Sequence, residues 1–225
     1  MIPLSARRTV VVLVVVIALL TLASLLVLAF PGIPDGIDDL VWVGDEGNIP
    51  AWYSSVALLS AGVLAGLIAA GTARDSGEFI PHWWGLSIVF ICLSLDEAAS
   101  FHEMLNKPLR SLLDAGGALY FAWVIAGAVF VIAFGVIYLR FLLHLPARTR
   151  WMFLLSAAVY LSGALVTEAV NASMWEANGA GTSFVYDLMT HLEELLEMGG
   201  VVLFIYTLLS YARQHIRQVE ITFGD

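Results

Sequence analysis

Six runs of predominantly apolar residues, each close to the length of a bilayer-crossing helix, leave this chain few ways to fold. A helix rises about 1.5 Å per residue, so roughly 20 apolar residues cover a hydrocarbon core of about 30 Å. The runs lie at approximately 9–30, 51–72, 82–104, 118–144, 150–176 and 185–212. Of the 225 residues, 60% are hydrophobic and only 13% charged, and no polar stretch is long enough to form a soluble domain. The expected fold is therefore all-α: residues 1–225 form one polytopic integral membrane bundle of six transmembrane helices.

Local signals set the helix edges. Arg7 and Arg8 precede the first run, as in a signal peptide. That run is too long for a signal core and leads into Phe30-Pro31-Gly32 rather than small residues, so it reads as a retained helix. Pro50 suits the first turn of the second helix with Asn48 as its cap, and Pro81 and Pro146 mark other edges. Gly116-Gly117 and Asn178-Gly179-Ala180-Gly181 read as turns. Gly62 and Gly66 have the spacing of a close-packing face, suited to a neighbouring helix or to a second subunit.

Basic residues give the orientation. With the N-terminus inside, Arg7, Arg8, Arg74, Arg140, Arg148, Arg150, Arg213 and Arg217 are cytoplasmic, and only Lys107 and Arg110 are outside. Both termini are thus expected in the cytoplasm, in the multi-pass topology of a bacterial inner (plasma) membrane protein. The outer loop from Pro31 to Pro50 carries Asp35, Asp38, Asp39, Asp45 and Glu46 and no basic residue. The net charge of −9 arises largely from acids inside apolar runs, so it says little about surface partners. A basic nucleic-acid footprint is absent, leaving the lipid bilayer and other membrane subunits as expected partners. Cys92, the one cysteine, excludes an intramolecular disulfide.

Acids and histidines interrupt three of the runs. Asp96, Glu97, His102 and Glu103 fall in the third, Glu168 in the fifth, and His191, Glu193, Glu194 and Glu197 in the sixth. A carboxylate near the centre of a spanning helix costs roughly 2.5–3.5 kcal/mol on insertion scales, so such groups pair, bind a cation or line a polar cavity. The expected topology brings all three sets to one level, toward the periplasmic side. No lysine or arginine lies among them, which favours a bound cation or shared protons over ion pairs.

Helical geometry sorts the candidates at about 100° per residue. Asp187, His191 and Glu194 share a narrow stripe, Glu197 flanks it, and Glu193 points away, toward solvent or headgroups. Tyr160, Ala164, Glu168, Asn171 and Trp175 share a face of the fifth helix. In the third, Glu97 and His102 lie on either side of the stripe Asp96, Ser100 and Glu103; a π-bulge or a helix end near Phe101 would turn His102 and Glu103 inward together. The expected metal ligands are Glu97, His102, Glu103, Glu168, His191 and Glu194. Asp96 and Glu197 are the expected catalytic groups, handling protons behind the metal. Four carboxylates and two imidazoles match the ligand count of dinuclear carboxylate bundles, although His191-x-x-Glu194 reverses their Glu-x-x-His order. The cofactor expected is a divalent metal: iron, manganese or zinc.

The run Leu93-Ser94-Leu95-Asp96-Glu97-Ala98-Ala99-Ser100, with His102-Glu103 following, resembles a string found in uncharacterised bacterial polytopic membrane proteins. The resemblance implies a membrane class and no mechanism. Membrane ceramidase-like hydrolases differ from this chain in ligand set and span number. The leading expectation is a membrane metalloprotein with an outer-leaflet carboxylate and histidine site, acting as an oxidoreductase on a small or lipophilic substrate. The alternatives are a proton- or cation-translocating protein using the buried acids and a non-catalytic subunit of a larger membrane complex. Against translocation, the inner halves of the third, fifth and sixth helices hold almost no ionisable residue.

Overall fold

The computed structural model describes residues 5–30, 34, 36–74 and 77–216. Pro31, Gly32, Asp35 and Arg217, used above in reading the topology, lie outside the described residues. The described chain is all helical. It comprises α1 (Ala6–Ala29), a short α2 (Ile37–Val41), α3 (Ile49–Arg74), α4 (Ile80–Ala99), α5 (Phe101–Leu113), α6 (Trp123–His144), α7 (Ala147–Leu161), α8 (Glu168–Ala177) and α9 (Phe184–His215). A π-helical turn, Ser162–Thr167, joins α7 to α8 without a break, so Ala147–Ala177 is one long rod. Among the described residues five helices are long and apolar enough to cross a membrane, and α4 with α5 makes a sixth candidate that is bent by 81°. Several membrane-length apolar helices of this kind mark a membrane protein.

The third apolar run, expected at 82–104, is divided by that bend, and of the two devices weighed near Phe101 it is the helix end that is present. Helix α4 ends at Ala99 because Ser100 adopts a left-handed conformation, φ 52°, and its N–H bonds back to the Asp96 carbonyl at 2.6 Å. A non-glycine residue in this region costs roughly 1–2 kcal/mol, so neighbouring bonds must hold it there. The Asp96 side chain supplies them, accepting the His102 backbone N–H at 2.9 Å. The run at 118–144 is also shorter as a helix than expected. Its first residues form a single 3₁₀ turn, Gly117–Leu119, and α6 begins at Trp123, whose N–H is accepted by Asn106 Oδ1 of α5 at 3.1 Å.

Close packing of small residues fixes the rest of the frame. A Cβ on Gly62 would stand 2.9 Å from Ile91, and one on Gly66 would stand 3.0 Å from the Ser87 hydroxyl, so this pair packs α3 on α4 inside the bundle. Ser55 and Ser94 reinforce the contact by each donating to the other's carbonyl, at 2.9 and 2.8 Å. Far from the bent end, Trp83, Phe141, Phe153 and Leu208 form the aliphatic and aromatic core. Helix α6 meets the bundle through α5 and the π turn near its start and through Tyr138 and Phe141 against His82 and Trp83 of α4 near its end, while Val129, Ile132, Val136 and Ile137 remain exposed on its outward face. Between those two attachments a gap remains between α6 and the helices α4, α7 and α9.

Candidate functional site

The gap is a cavity of about 560 Å³, acidic at one end and aromatic at the other. Carboxylates reach it from four directions: Glu46 from the loop before α3, Asp96 and Glu97 with Glu103 from the α4–α5 bend, Glu168 from the start of α8, and Glu193, Glu194 and Glu197 from α9. Among the described residues, no lysine or arginine lines it. Seven of the eight residues singled out from sequence are therefore brought together: Asp96, Glu97, His102, Glu103, Glu168, Glu194 and Glu197. His191 is not among them.

Asp96 organises the bend and the imidazole at once. One carboxylate oxygen takes the His102 backbone N–H, and the other lies 2.9 Å from His102 Nδ1. A carboxylate at that position makes Nδ1 the protonated nitrogen and leaves Nε2 as the lone-pair atom free for a ligand, the tautomer that metal-binding histidines use. The Trp123 ring packs 4.8 Å from the imidazole and limits its rotation. Asp96 is thus placed to orient His102.

Glu46, His102 and Glu103 bring one ligand atom each to within 4.8 Å of one another. Ligands to a single ion at about 2.0–2.2 Å lie no more than about 4.4 Å apart, so modest side-chain rotation would close this group around a cation. Partial desolvation of Glu46, an exposed residue, holds its carboxyl above its ordinary range, with Glu103 and Asp96 adding to the rise and His102 pulling the other way. Asp45 beside it is also raised, by burial and then by Asp39 and Asp38. Glu97, Glu168 and Glu194 line the same cavity outside this close group, so the six expected ligands do not converge on one point.

The π turn determines how Glu168 and α9 meet. Its extra residue lets Gly163 come so close to α9 that a Cβ there would sit 2.8 Å from the Glu193 carbonyl oxygen and 2.8 Å from Glu197 Cγ. The Gly163 carbonyl accepts both the Glu168 backbone N–H, the wider bond of the π turn, and the Thr167 hydroxyl at 2.7 Å. Glu168 emerges immediately after the turn and accepts from the Trp123 indole N–H at 2.8 Å. Glu193 is buried, with Asn171 donating to its carboxylate, so the expectation of a solvated Glu193 is corrected.

His191 lies on the other side of α9. Its Nδ1 donates to the Asp187 carbonyl at 2.7 Å, and its Nε2 pairs with the Ser24 hydroxyl of α1 at 2.9 Å. Ser24 in turn accepts the Val43 N–H at 3.1 Å, and the Trp42 ring meets the imidazole edge-on. Both ring nitrogens are engaged, so His191 clamps α1 and the loop before α3 onto α9. The cavity face of α9 is centred near Glu197, roughly 120° around the helix from His191.

Sequence reasoning missed Glu46 as a site residue because it lies in a loop. The antiparallel packing of α3 on α4 sets the start of α3, and hence Glu46, level with the end of α4; pairing those two helices was the signal that would have found it. A second cavity of about 590 Å³ adjoins the first, sharing Gly44, Tyr186 and Thr190 with it, and is walled by Asp38, Asp39, Asp45 and Asp187.

Fold and site together define an all-helical protein of membrane-length helices around an acid-headed cavity. The chain belongs to the family described as "Domain of unknown function (DUF8692)", which matches residues 9–212. No curated protein and no solved structure matches it.

Proposed function

We propose that this chain is an integral membrane metalloprotein whose site holds a divalent cation, iron, manganese or zinc, at Glu46, His102 and Glu103. The observation that carries the reading is the convergence of those three ligand atoms on an imidazole already oriented by Asp96. Glu97, Glu168, Glu193, Glu194 and Glu197 provide a second carboxylate group within the same cavity, suited to a further cation or to moving protons. The adjoining aspartate-walled cavity would raise the local concentration of cations at the mouth of the site. With the basic residues oriented inward, the protein sits in the bacterial inner membrane with both termini cytoplasmic and the site toward the periplasm.

The activity proposed is that of an oxidoreductase on a small or lipophilic substrate, with dioxygen as the electron acceptor and iron or manganese, when bound, supplying the redox chemistry; zinc would instead make the site hydrolytic. Proton or cation translocation is disfavoured, since below Glu197 the described cavity wall holds no further acid, histidine, lysine or arginine, only apolar residues with the hydroxyls of Tyr160, Ser156 and Tyr138. Elemental mass spectrometry on protein purified without chelator tests the metal reading. Stoichiometric metal in the wild type, retained in His191→Ala and lost in His102→Ala and Glu46→Ala, is expected. Absence of metal after anaerobic reconstitution with iron, manganese and zinc would overturn it.

A further inference from the structure

The acid end of the cavity continues into a chamber that no ionic chemistry requires. From Glu97 to Leu86 on α4, and from Glu193 to Phe204 on α9, the wall runs eleven positions inward, about 16 Å at 1.5 Å per residue. Over that length the lining turns aromatic. Phe90 stacks on Phe204 with centroids 4.4 Å apart, Phe153 meets Phe204 edge-on at 4.9 Å, and Phe134 stacks on Tyr138 at 3.9 Å. Phe130 and Leu154 line the cavity and are also largely exposed, which marks an opening toward the side of the bundle between α6 and α7.

We infer that the cavity takes a single-chain amphiphile, tail in the aromatic chamber and head at the carboxylates, and that the head donates hydrogen bonds and carries no negative charge. Volume argues for one chain: about 560 Å³ fits a drug-sized molecule, and a two-chain phospholipid exceeds that range. Charge argues for the head. Among the described residues eight carboxyl groups and no lysine or arginine face it, so a fatty-acid carboxylate or a phosphate would find no basic partner, whereas a hydroxyl or ammonium would find acceptors among the carboxyls outside the three proposed to hold the cation. The lateral opening suits a ligand arriving from the bilayer. This inference names the substrate class of the site proposed above and rests on that reading for what happens at the head; occupancy of the chamber does not depend on it.

Photolabelling separates the two. The full chain in phosphatidylcholine nanodiscs is irradiated with a long-chain alcohol bearing a diazirine near its tail end, and labelled residues are mapped by mass spectrometry, with metal content measured on the same sample. Labelling is expected at Phe90, Phe134, Phe153 or Phe204, with competition by hexadecanol and hexadecylamine and none by palmitate. Ala157→Phe fills the chamber from the exposed, cavity-lining face of α7. Displacing about two methylenes lowers affinity at least about tenfold, so this label should fall by that factor while metal stays bound. Gly135→Leu on α6, where a Cβ meets nothing within 4 Å, gives the same result should Ala157→Phe fail to fold. Labelling confined to outward residues such as Val136 and Ile137, equal competition by palmitate, or labelling unchanged in both folded variants would overturn the inference. Chamber labelling of a protein that binds no metal would sustain it and sink the metal reading alone.

Discussion

Asp96→Asn separates the orientation of His102 from the stability of the bend. The amide keeps one oxygen, which can still accept the His102 backbone N–H now bound at 2.9 Å, and asparagine and aspartate are comparable caps. The α4–α5 bend should therefore survive. The other atom changes from an acceptor 2.9 Å from Nδ1 to an NH₂ donor. Nδ1 then has to accept, its proton moves to Nε2, and the nitrogen left for a cation loses its lone pair. Loss of such an outer partner typically lowers metal affinity about 10–100-fold, equivalent to roughly 1.4–2.8 kcal/mol. Calorimetric titration of manganese and zinc into metal-free protein in nanodiscs reads the affinity, and thermal unfolding of the same samples reads the fold. Unchanged affinity in a folded Asp96→Asn variant would refute the argument that the carboxylate orients His102 for a ligand.

Ser24→Ala strands both the His191 Nε2 and the Val43 N–H at buried positions. It should cost roughly 1–3 kcal/mol for each group left unpaired, seen as a lower thermal midpoint, with metal content intact. Gly163→Ala would press a Cβ to 2.8 Å from the Glu193 carbonyl oxygen, and because that oxygen is a backbone atom within α9 the contact cannot yield easily. Destabilisation of about 1–3 kcal/mol is expected in denaturation of the variant. Acidification should weaken metal binding, since protons compete for Glu46 beginning at a higher pH than for an ordinary carboxylate. In the metal-free protein the sign reverses. With the folded value above 4.5, the contribution of Glu46 favours folding fully below 4.5 and is lost as pH rises through its folded value, so Glu46→Gln should flatten that part of the stability curve.

Much of the frame was legible because its cause is local. An apolar run near 20 residues can satisfy its backbone only within itself, so the number and approximate ends of the long helices follow from composition along the chain. Pro81 in the first turn of α4 and the glycine pair that seats α3 on α4 were equally readable. The gathering of acids at one level followed from counting residues inward from helix ends, and seven of the eight chosen side chains do meet in one cavity.

Facing was a different matter. At 100° per residue a stripe can be drawn on α9 through His191 and Glu194 or through Glu193 and Glu197, and nothing along the helix says which looks inward. Ser24 of α1, the Val43 N–H and the packing of Gly163 make that choice, and all three lie far from α9 in sequence.

The sequence alone determined that this is a chain of membrane-length helices with uncompensated acids near one end, because hydrophobicity and charge are properties of residues and their neighbours. Only the tertiary structure decided that Glu46 joins His102 and Glu103, that His191 is a clamp, and that an aromatic chamber lies beneath the acids. Each of those outcomes depends on contacts between segments distant in the chain, where the partner across the gap, and not the residue itself, sets the energy.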